Sequence, residues 1–139
     1  MTIYGSYMQD AGSQSSYNTG NVSVSSVSYQ TIVTVNNLDA GVYIAHFEIS
    51  AGNGSSVYPN SDPDGWYMRI NDSGGTICDE QFFEEGGSTN TYQNGGSLTC
   101  TFWSDGTNDI YFQVRATDGD GGGVGGRYSA HTFAIMRQS

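Results

Sequence analysis

The sequence predicts an all-β fold, an antiparallel eight-stranded jelly-roll sandwich, on three observations. No long segment places apolar residues at helical spacing, and lysine is absent while glycine occurs 20 times. Short runs rich in Val, Ile, Tyr and Phe alternate apolar and polar residues, as half-buried strands do. Turn sequences such as NDSGG and SDGTND separate these runs. Eight such strands on one chain of 139 residues favour a single two-sheet domain.

The eight predicted strands follow one another with short gaps. The first, residues 22–29, loses its alternation at Ser25 and Ser26, which is typical of a β-bulge. The other seven cover residues 31–37, 41–50, 65–72, 76–83, 97–103, 109–117 and 127–136. Alternation predicts that the core is formed by Tyr43, Ala45, Phe47, Ile49, Trp66, Met68, Ile70, Leu98, Cys100, Phe102, Ile110, Phe112, Val114 and Ala116.

The strand at residues 41–50 is apolar on both faces in its first half. Val42 and Ile44 alternate with the inward residues, so they face away from the predicted core. A strand with apolar residues on its outer face indicates a subunit contact there.

The charge balance excludes two classes of partner. Fourteen acidic residues and four arginines give a net charge of −10. Binding to nucleic acid requires cationic groups that displace counterions from phosphates, and binding to anionic membranes requires basic clusters. We therefore expect neither a nucleic-acid nor a membrane partner. The N-terminus also lacks the basic and apolar regions of a signal peptide.

The first twenty residues differ from the rest, so we divide the chain into an extended arm (residues 1–20) and a jelly-roll domain (residues 21–139). Ile3, Tyr4, Tyr7 and Met8 are candidate anchors of this arm on a partner, because aromatic residues are enriched in interface cores. The alternative is a loose terminus without a binding role.

The two cysteines, Cys78 and Cys100, form no metal-binding motif. A single disulfide between them is possible, but two small buried thiols are the favoured expectation, since free cysteine is common in cores.

A glycine-rich stretch follows the seventh strand. Gly121, Gly123 and Gly126 match the spacing G-x-G-x-x-G, but the residues after them predict a strand rather than the helix that a dinucleotide site needs. We expect no cofactor. Weak calcium candidates are the carboxylates of Asp118, Asp120, Asp62 and Asp64, which are also ordinary turn residues. We therefore predict no metal site.

No catalytic constellation is recognisable, and we predict that the protein is not an enzyme. His46 and His131 fall on strands outside any triad motif, and G-x-S-x-G is absent. Four possible surface aromatics, Tyr67, Trp103, Tyr111 and Tyr128, could instead bind a carbohydrate or cover a subunit contact.

Three segments resemble a known family. LDAGVYIAHFEISA resembles the strand carrying the "aGvY" signature of C1q and tumour-necrosis-factor-like jelly rolls. SLTCTFWSDGTNDIYFQVRA resembles the paired strands before the last glycine-rich loop of that family. RYSAHTFAIMRQS resembles its final core strand, which implies that Phe133 and Ile135 face inward.

With abundant serine, glycine and tyrosine and no recognisable signal peptide, the chain is also similar to small jelly-roll structural proteins of tailed bacteriophages. This resemblance implies a homotrimer at the capsid surface of a virion, acting as a decoration (cement) protein whose partners are the major capsid protein and its own copies. The short arm before the sandwich favours a lattice protein over a stalked fibre. The alternative is the receptor- or glycan-binding head of a tail or head fibre.

Overall fold

A computed structural model describes residues 16–24, 26–36, 38–50, 65–84, 96–116 and 124–137 and forms a β-sandwich. The strands are β1 (Ser16–Val24), β2 (Gln30–Val35), β3 (Gly41–Ser50), β4 (Gly65–Asp72), β5 (Ile77–Glu84), β6 (Gly96–Ser104), β7 (Ile110–Ala116) and β8 (Val124–Arg137). Sheet A has the order β1-β8-β3-β6, and sheet B has the order β2-β7-β4-β5. First and last, second and seventh, third and sixth, and fourth and fifth strands are neighbours, which is the nested pairing of a jelly roll. The predicted fold class is confirmed.

The first predicted strand is wrong in its bounds. β1 ends at Val24 and β2 begins at Gln30, so the predicted strand at residues 22–29 covers only the end of β1 and the connection to β2. Of the two serines that break the alternation, Ser26 lies between β1 and β2. Ser26 then accepts a backbone hydrogen bond from Ala116 at 2.8 Å, on the side of sheet B. β1 also includes residues 16–20 of the predicted arm, while Ile3, Tyr4, Tyr7 and Met8 lie outside the described residues.

The two sheets enclose one apolar core, and the predicted alternation places its residues correctly. Phe47 of sheet A and Phe112 of sheet B meet edge to face, with ring centroids 5.4 Å apart. Trp66 stacks on Phe83 at 4.8 Å. The largest fully buried side chains are those of Trp66, Tyr43, Phe47, Phe112, Ile49, Met68, Ile70, Leu98, Val114 and Thr132. Most of them come from β3, β4 and β7, which are central strands flanked on both sides.

From Ala130 to Ala134, strand β8 presents small residues to the core, contrary to the expectation from the family resemblance. Ala130, Thr132 and Ala134 are buried, whereas Phe133 is 40% exposed and Ile135 is only half-buried. The register sets Ala130 beside Phe47 and Ala134 beside Tyr43. Because the large β3 side chains fill the space between the sheets, the neighbouring strand must contribute small ones.

The cysteines form a disulfide, so the prediction of two free thiols is wrong. Cys78 in β5 bonds to Cys100 in β6, with 6.1 Å between their Cα atoms. β5 ends sheet B and β6 ends sheet A, so the bond joins the two sheets along one side of the sandwich. Alternation correctly directs both side chains inward, but only the nested strand order brings them together.

Two predicted turns have left-handed glycines. Gly75 has φ of 92° between β4 and β5, and Gly106 has φ of 87° between β6 and β7. Each turn is also fixed by an aspartate: Asp72 accepts from a backbone N–H four residues later at 2.7 Å, and Asp105 accepts from the Thr107 N–H at 2.8 Å. Hydrogen bonds from the Thr107 hydroxyl and N–H hold the pKa of Asp105 below its usual value.

Removing the disulfide is expected to lower the free energy of unfolding by about 3 kcal/mol, because the bond closes a loop of 22 residues. Urea unfolding of the double variant Cys78→Ala/Cys100→Ala, compared with the unreduced protein, measures this loss. Wild-type protein in reductant is the matched control and should approach the variant. Two free thiols in unreduced, denatured protein would contradict the bond itself.

Candidate functional site

The outer face of sheet A carries an exposed apolar cluster. We call Val42, Ile44, Trp103 and Phe133 the apolar face. The register sets Val42 beside Trp103 and Ile44 beside Phe133, so strands β3, β6 and β8 all contribute to it. Trp103 is 58% exposed and Phe133 is 40% exposed. Large apolar side chains gathered on one exposed face are typical of a contact surface rather than of scattered surface residues.

A pair of stacked histidines borders the apolar face. The rings of His46 and His131 lie 5.1 Å apart at 28°. His46 Nδ1 is 2.7 Å from the Thr99 hydroxyl, and its Nε2 is 3.5 Å from a carboxylate oxygen of Glu48. His131 also lies 6.2 Å from the ring of Phe133, which connects the pair with the apolar face.

Burial and the neighbouring ring favour the neutral form of His131. Partial burial lowers its pKa, the nearby His46 lowers it further, and Glu48 opposes both effects. The stacked pair is therefore an electrostatically sensitive part of this face, because a charge on both rings at 5.1 Å is unfavourable.

The outer face of sheet B has a different chemistry. We call Tyr29, Tyr67, Arg69, Phe82 and Arg115 the arginine–tyrosine face. Arg115 lies beside Tyr67, and Tyr67 beside Phe82, in one row across strands β7, β4 and β5. Arg69 lies in the next row. Half of the chain's four arginines are thus on one face.

Tyr29 crosses the arginine–tyrosine face. Its ring covers the Arg69 guanidinium at 3.8 Å, and its hydroxyl donates to Glu80 Oε2 at 2.8 Å. Burial, followed by the hydrogen bond and charge of Glu80, raises its pKa to about 12, and the Arg115 guanidinium opposes this rise. The hydroxyl therefore stays protonated and keeps donating to Glu80 across the physiological pH range.

A polar row beneath Tyr29 satisfies Arg69. Its Nε donates to Gln113 Oε1 at 2.7 Å, and Gln113 Nε2 donates to the Thr31 hydroxyl at 2.8 Å. Arg69 Nη1 lies 4.0 Å from Glu80 Oε2. This row explains why Gln113 is only 9% exposed although it points away from the core.

The guanidinium of Arg115 lies against two tyrosine rings. Its guanidinium lies 4.0 Å from the Tyr67 ring centroid and 5.3 Å from that of Tyr29. Within the described part of the chain it makes no ion pair with an acidic side chain, and its one hydrogen bond to a carbonyl, that of Ala116, is long at 3.4 Å. Stacking fixes the plane of a guanidinium and leaves N–H donors at its edge.

The structure separates the four aromatic residues predicted from the sequence. Tyr67 and Tyr111 both lie on the outer face of sheet B, and both are half-buried. Trp103 lies on the opposite sheet. Tyr128 lies beside Gly20, packs against the core and is also half-buried. The four therefore do not form one site.

Other predicted site residues lie outside the described part of the chain, namely Asp62, Asp64, Asp118 and Asp120. Within the described ranges, no group of three or more His, Cys, Asp or Glu residues could hold a metal ion. Those ranges also contain no helix long and apolar enough to cross a membrane. The glycine-rich stretch leads into β8, a strand, as predicted.

The grouping of Tyr29, Arg69 and Arg115 was not predictable from the sequence. Alternation places the two arginines on outward positions, but their meeting depends on β7 lying beside β4. Tyr29 was assigned to a strand, whereas it lies between strands and crosses the sheet. The sequence does hold one signal of this face. Arg69 and Arg115 both occupy outward positions, Arg69 two residues after Tyr67 and Arg115 two residues after Gln113.

The comparisons with known proteins show only a fold. No family model matches the chain, and no curated protein matches it. The chain is similar to dimeric latent PorU from Porphyromonas gingivalis, with a TM-score of 0.52 and 11% identity over 90% of this chain and 13% of that one. At this identity the similarity is one of fold alone.

Two further structures are more distant. Eiger TNF from S. frugiperda has a TM-score of 0.48 and 11% identity, over 73% of this chain and 63% of that one. The Yersinia pseudotuberculosis-derived mitogen has a TM-score of 0.40 and 10% identity, over 89% of this chain and 90% of that one.

Lowering the pH below about 6.5, the ordinary histidine pKa, is expected to reduce the free energy of unfolding. Because the pKa of folded His131 is lowered, the unfolded chain binds a proton first, and stability present above this pH is lost as the pH falls toward the folded-state value. Urea unfolding from about pH 8 to about pH 5 measures it. The variant His131→Gln should show a smaller loss; equal losses in both proteins would contradict the prediction.

Proposed function

We propose that this chain is a homotrimeric structural protein of a phage virion, which decorates the capsid and bridges major capsid subunits. The observation that supports it is the apolar face on sheet A, which an isolated chain would leave in water. Trp103 and Phe133 are exposed there beside the half-buried Val42 and Ile44.

Self-association through the apolar face is physically favourable. A Trp or Phe side chain buries about 150–250 Å² on complete burial, and each Å² of apolar surface contributes about 25 cal/mol. In a three-fold ring each copy contacts the next through two different surfaces. The apolar face would therefore pack against a different surface of the neighbouring copy. The stacked His46 and His131 would border the same contact.

The capsid role rests on the resemblance to phage jelly rolls and has a mechanical basis. A trimer that binds the assembled lattice, but not its unfolded subunits, raises the stability of the lattice by mass action. The net charge of −10 keeps free trimers soluble and separate until they bind. Residues 2–10 of the arm would dock on the shell or on the next trimer.

Disrupting the apolar face is expected to convert trimers into monomers. Ile44→Asp places a charge in the contact, and Trp103→Ser removes its largest ring; each should weaken association about tenfold or more. Sedimentation velocity over a range of concentrations measures the mass of the assembly, which for the wild type should be three chains.

The matched control is Val27→Ser, which removes another exposed apolar side chain, 50% exposed, from the segment between β1 and β2. It should leave the trimer intact. A wild-type protein that is monomeric at every concentration would overturn the trimer.

The virion role is tested by counting copies of the chain against the major capsid protein in purified particles, using quantitative mass spectrometry. A near-stoichiometric ratio is expected for a decoration protein. A handful of copies would point to a fibre component, and complete absence from particles would overturn the virion proposal.

A further inference from the structure

We propose that the arginine–tyrosine face binds a carboxylate-bearing carbohydrate, such as a hexuronate residue of an acidic polysaccharide. Arg115 would receive the carboxylate, while Phe82 and Tyr67 would receive the sugar ring. This inference concerns sheet B and does not depend on trimer formation through sheet A.

The local charge favours an anionic ligand although the whole chain is acidic. Arg69 and Arg115 are the cations of this face, and the carboxylate that contacts its described side chains is that of Glu80. Glu80 is engaged by the Tyr29 hydroxyl at 2.8 Å and lies 4.0 Å from Arg69. The positive charge of Arg115 is therefore the one left without an acidic partner in this network.

The geometry of Arg115 suits a carboxylate. Its guanidinium is positioned by the rings of Tyr67 and Tyr29, at 4.0 Å and 5.3 Å, so little conformational freedom is lost on binding. A guanidinium held in this way presents a planar edge of N–H donors, which matches the two oxygens of a carboxylate.

An aromatic surface lies beside this charge. Phe82 is 44% exposed, and its ring centroid is 5.0 Å from that of Tyr67 in the same row as Arg115. The C–H-bearing side of a pyranose ring is apolar and packs against such rings, while its carboxylate would reach the neighbouring guanidinium. Anionic and apolar recognition thus occur side by side.

A carbohydrate fits this face better than an acidic peptide does. Peptides commonly bind along a sheet edge or in a groove, where backbone pairing or side-chain pockets supply affinity. Arg115 lies on β7 and Tyr67 on β4, which both have neighbours on each side. Phe82 lies on the edge strand β5, but its ring is on the outer surface of the sheet rather than along the backbone edge.

Isothermal titration of the intact chain with oligogalacturonate tests the proposal, with the methyl-esterified oligomer as the neutral ligand control. Wild-type protein should bind the acid and bind the ester at least about tenfold more weakly, with affinity decreasing as salt increases. Arg115→Gln should reduce affinity roughly 10- to 100-fold, and Phe82→Ala about 3- to 10-fold.

Arg115→Lys separates charge from shape, because it keeps the cation and loses the planar fork; its affinity should lie between wild type and Arg115→Gln. Trp103→Ser, on the other sheet, should bind the ligand normally even if it no longer associates, so failure of the trimer and failure of this site are distinguishable. Thermal melting confirms that each variant is folded.

Three outcomes would overturn the proposal: equal binding of acid and ester, binding unchanged by both Arg115→Gln and Phe82→Ala, or no binding of oligogalacturonate at any concentration tested. Equal or tighter binding of polyglutamate at the same residues would overturn the assignment to carbohydrate.

Discussion

The packing of two sheets through a single layer of alternating side chains is the constraint on which the remaining structure depends. Large residues of β3, β4 and β7 fill this layer, and Phe47 and Phe112 meet at its centre. β8 must accordingly contribute Ala130, Thr132 and Ala134. The same alternation commits every second residue to an outer face, so each sheet carries a surface whose chemistry is independent of the core.

The two outer faces have different chemistries. Sheet A presents apolar rings beside two histidines, which suits burial against another protein surface. Sheet B presents two arginines that pack against tyrosine rings. Tyr29 and Gln113 position Arg69, and Tyr67 positions Arg115 without neutralising its charge. A sandwich of this kind can associate through one sheet and keep the other available for a ligand.

Local periodicity was sufficient to predict the fold class, seven of the strands and the inward residues, because each depends on near neighbours in the chain. The position of Phe133 and the pairing of Cys78 with Cys100 were not predictable in this way. Both depend on which strands become neighbours, and β5 and β6 meet only through the nested topology. Tyr29 was missed for a related reason, since a residue between strands has no alternation to indicate its direction. The resemblance to phage jelly rolls implied a trimer. The resemblance to C1q and tumour-necrosis-factor-like jelly rolls implied, wrongly, that Phe133 faces inward.

The disulfide between β5 and β6 makes the covalent state of the molecule depend on its redox environment. A chain synthesised in a reducing cytosol would carry Cys78 and Cys100 as thiols, and the bond would form only on reaching oxidising surroundings. The newly made protein and the aged one would then be two forms with the same fold. In the reduced form β5 and β6 would be held together by packing alone, so this side of the sandwich would open more readily. Oxidation would then covalently join the edge strands of the two sheets on that side.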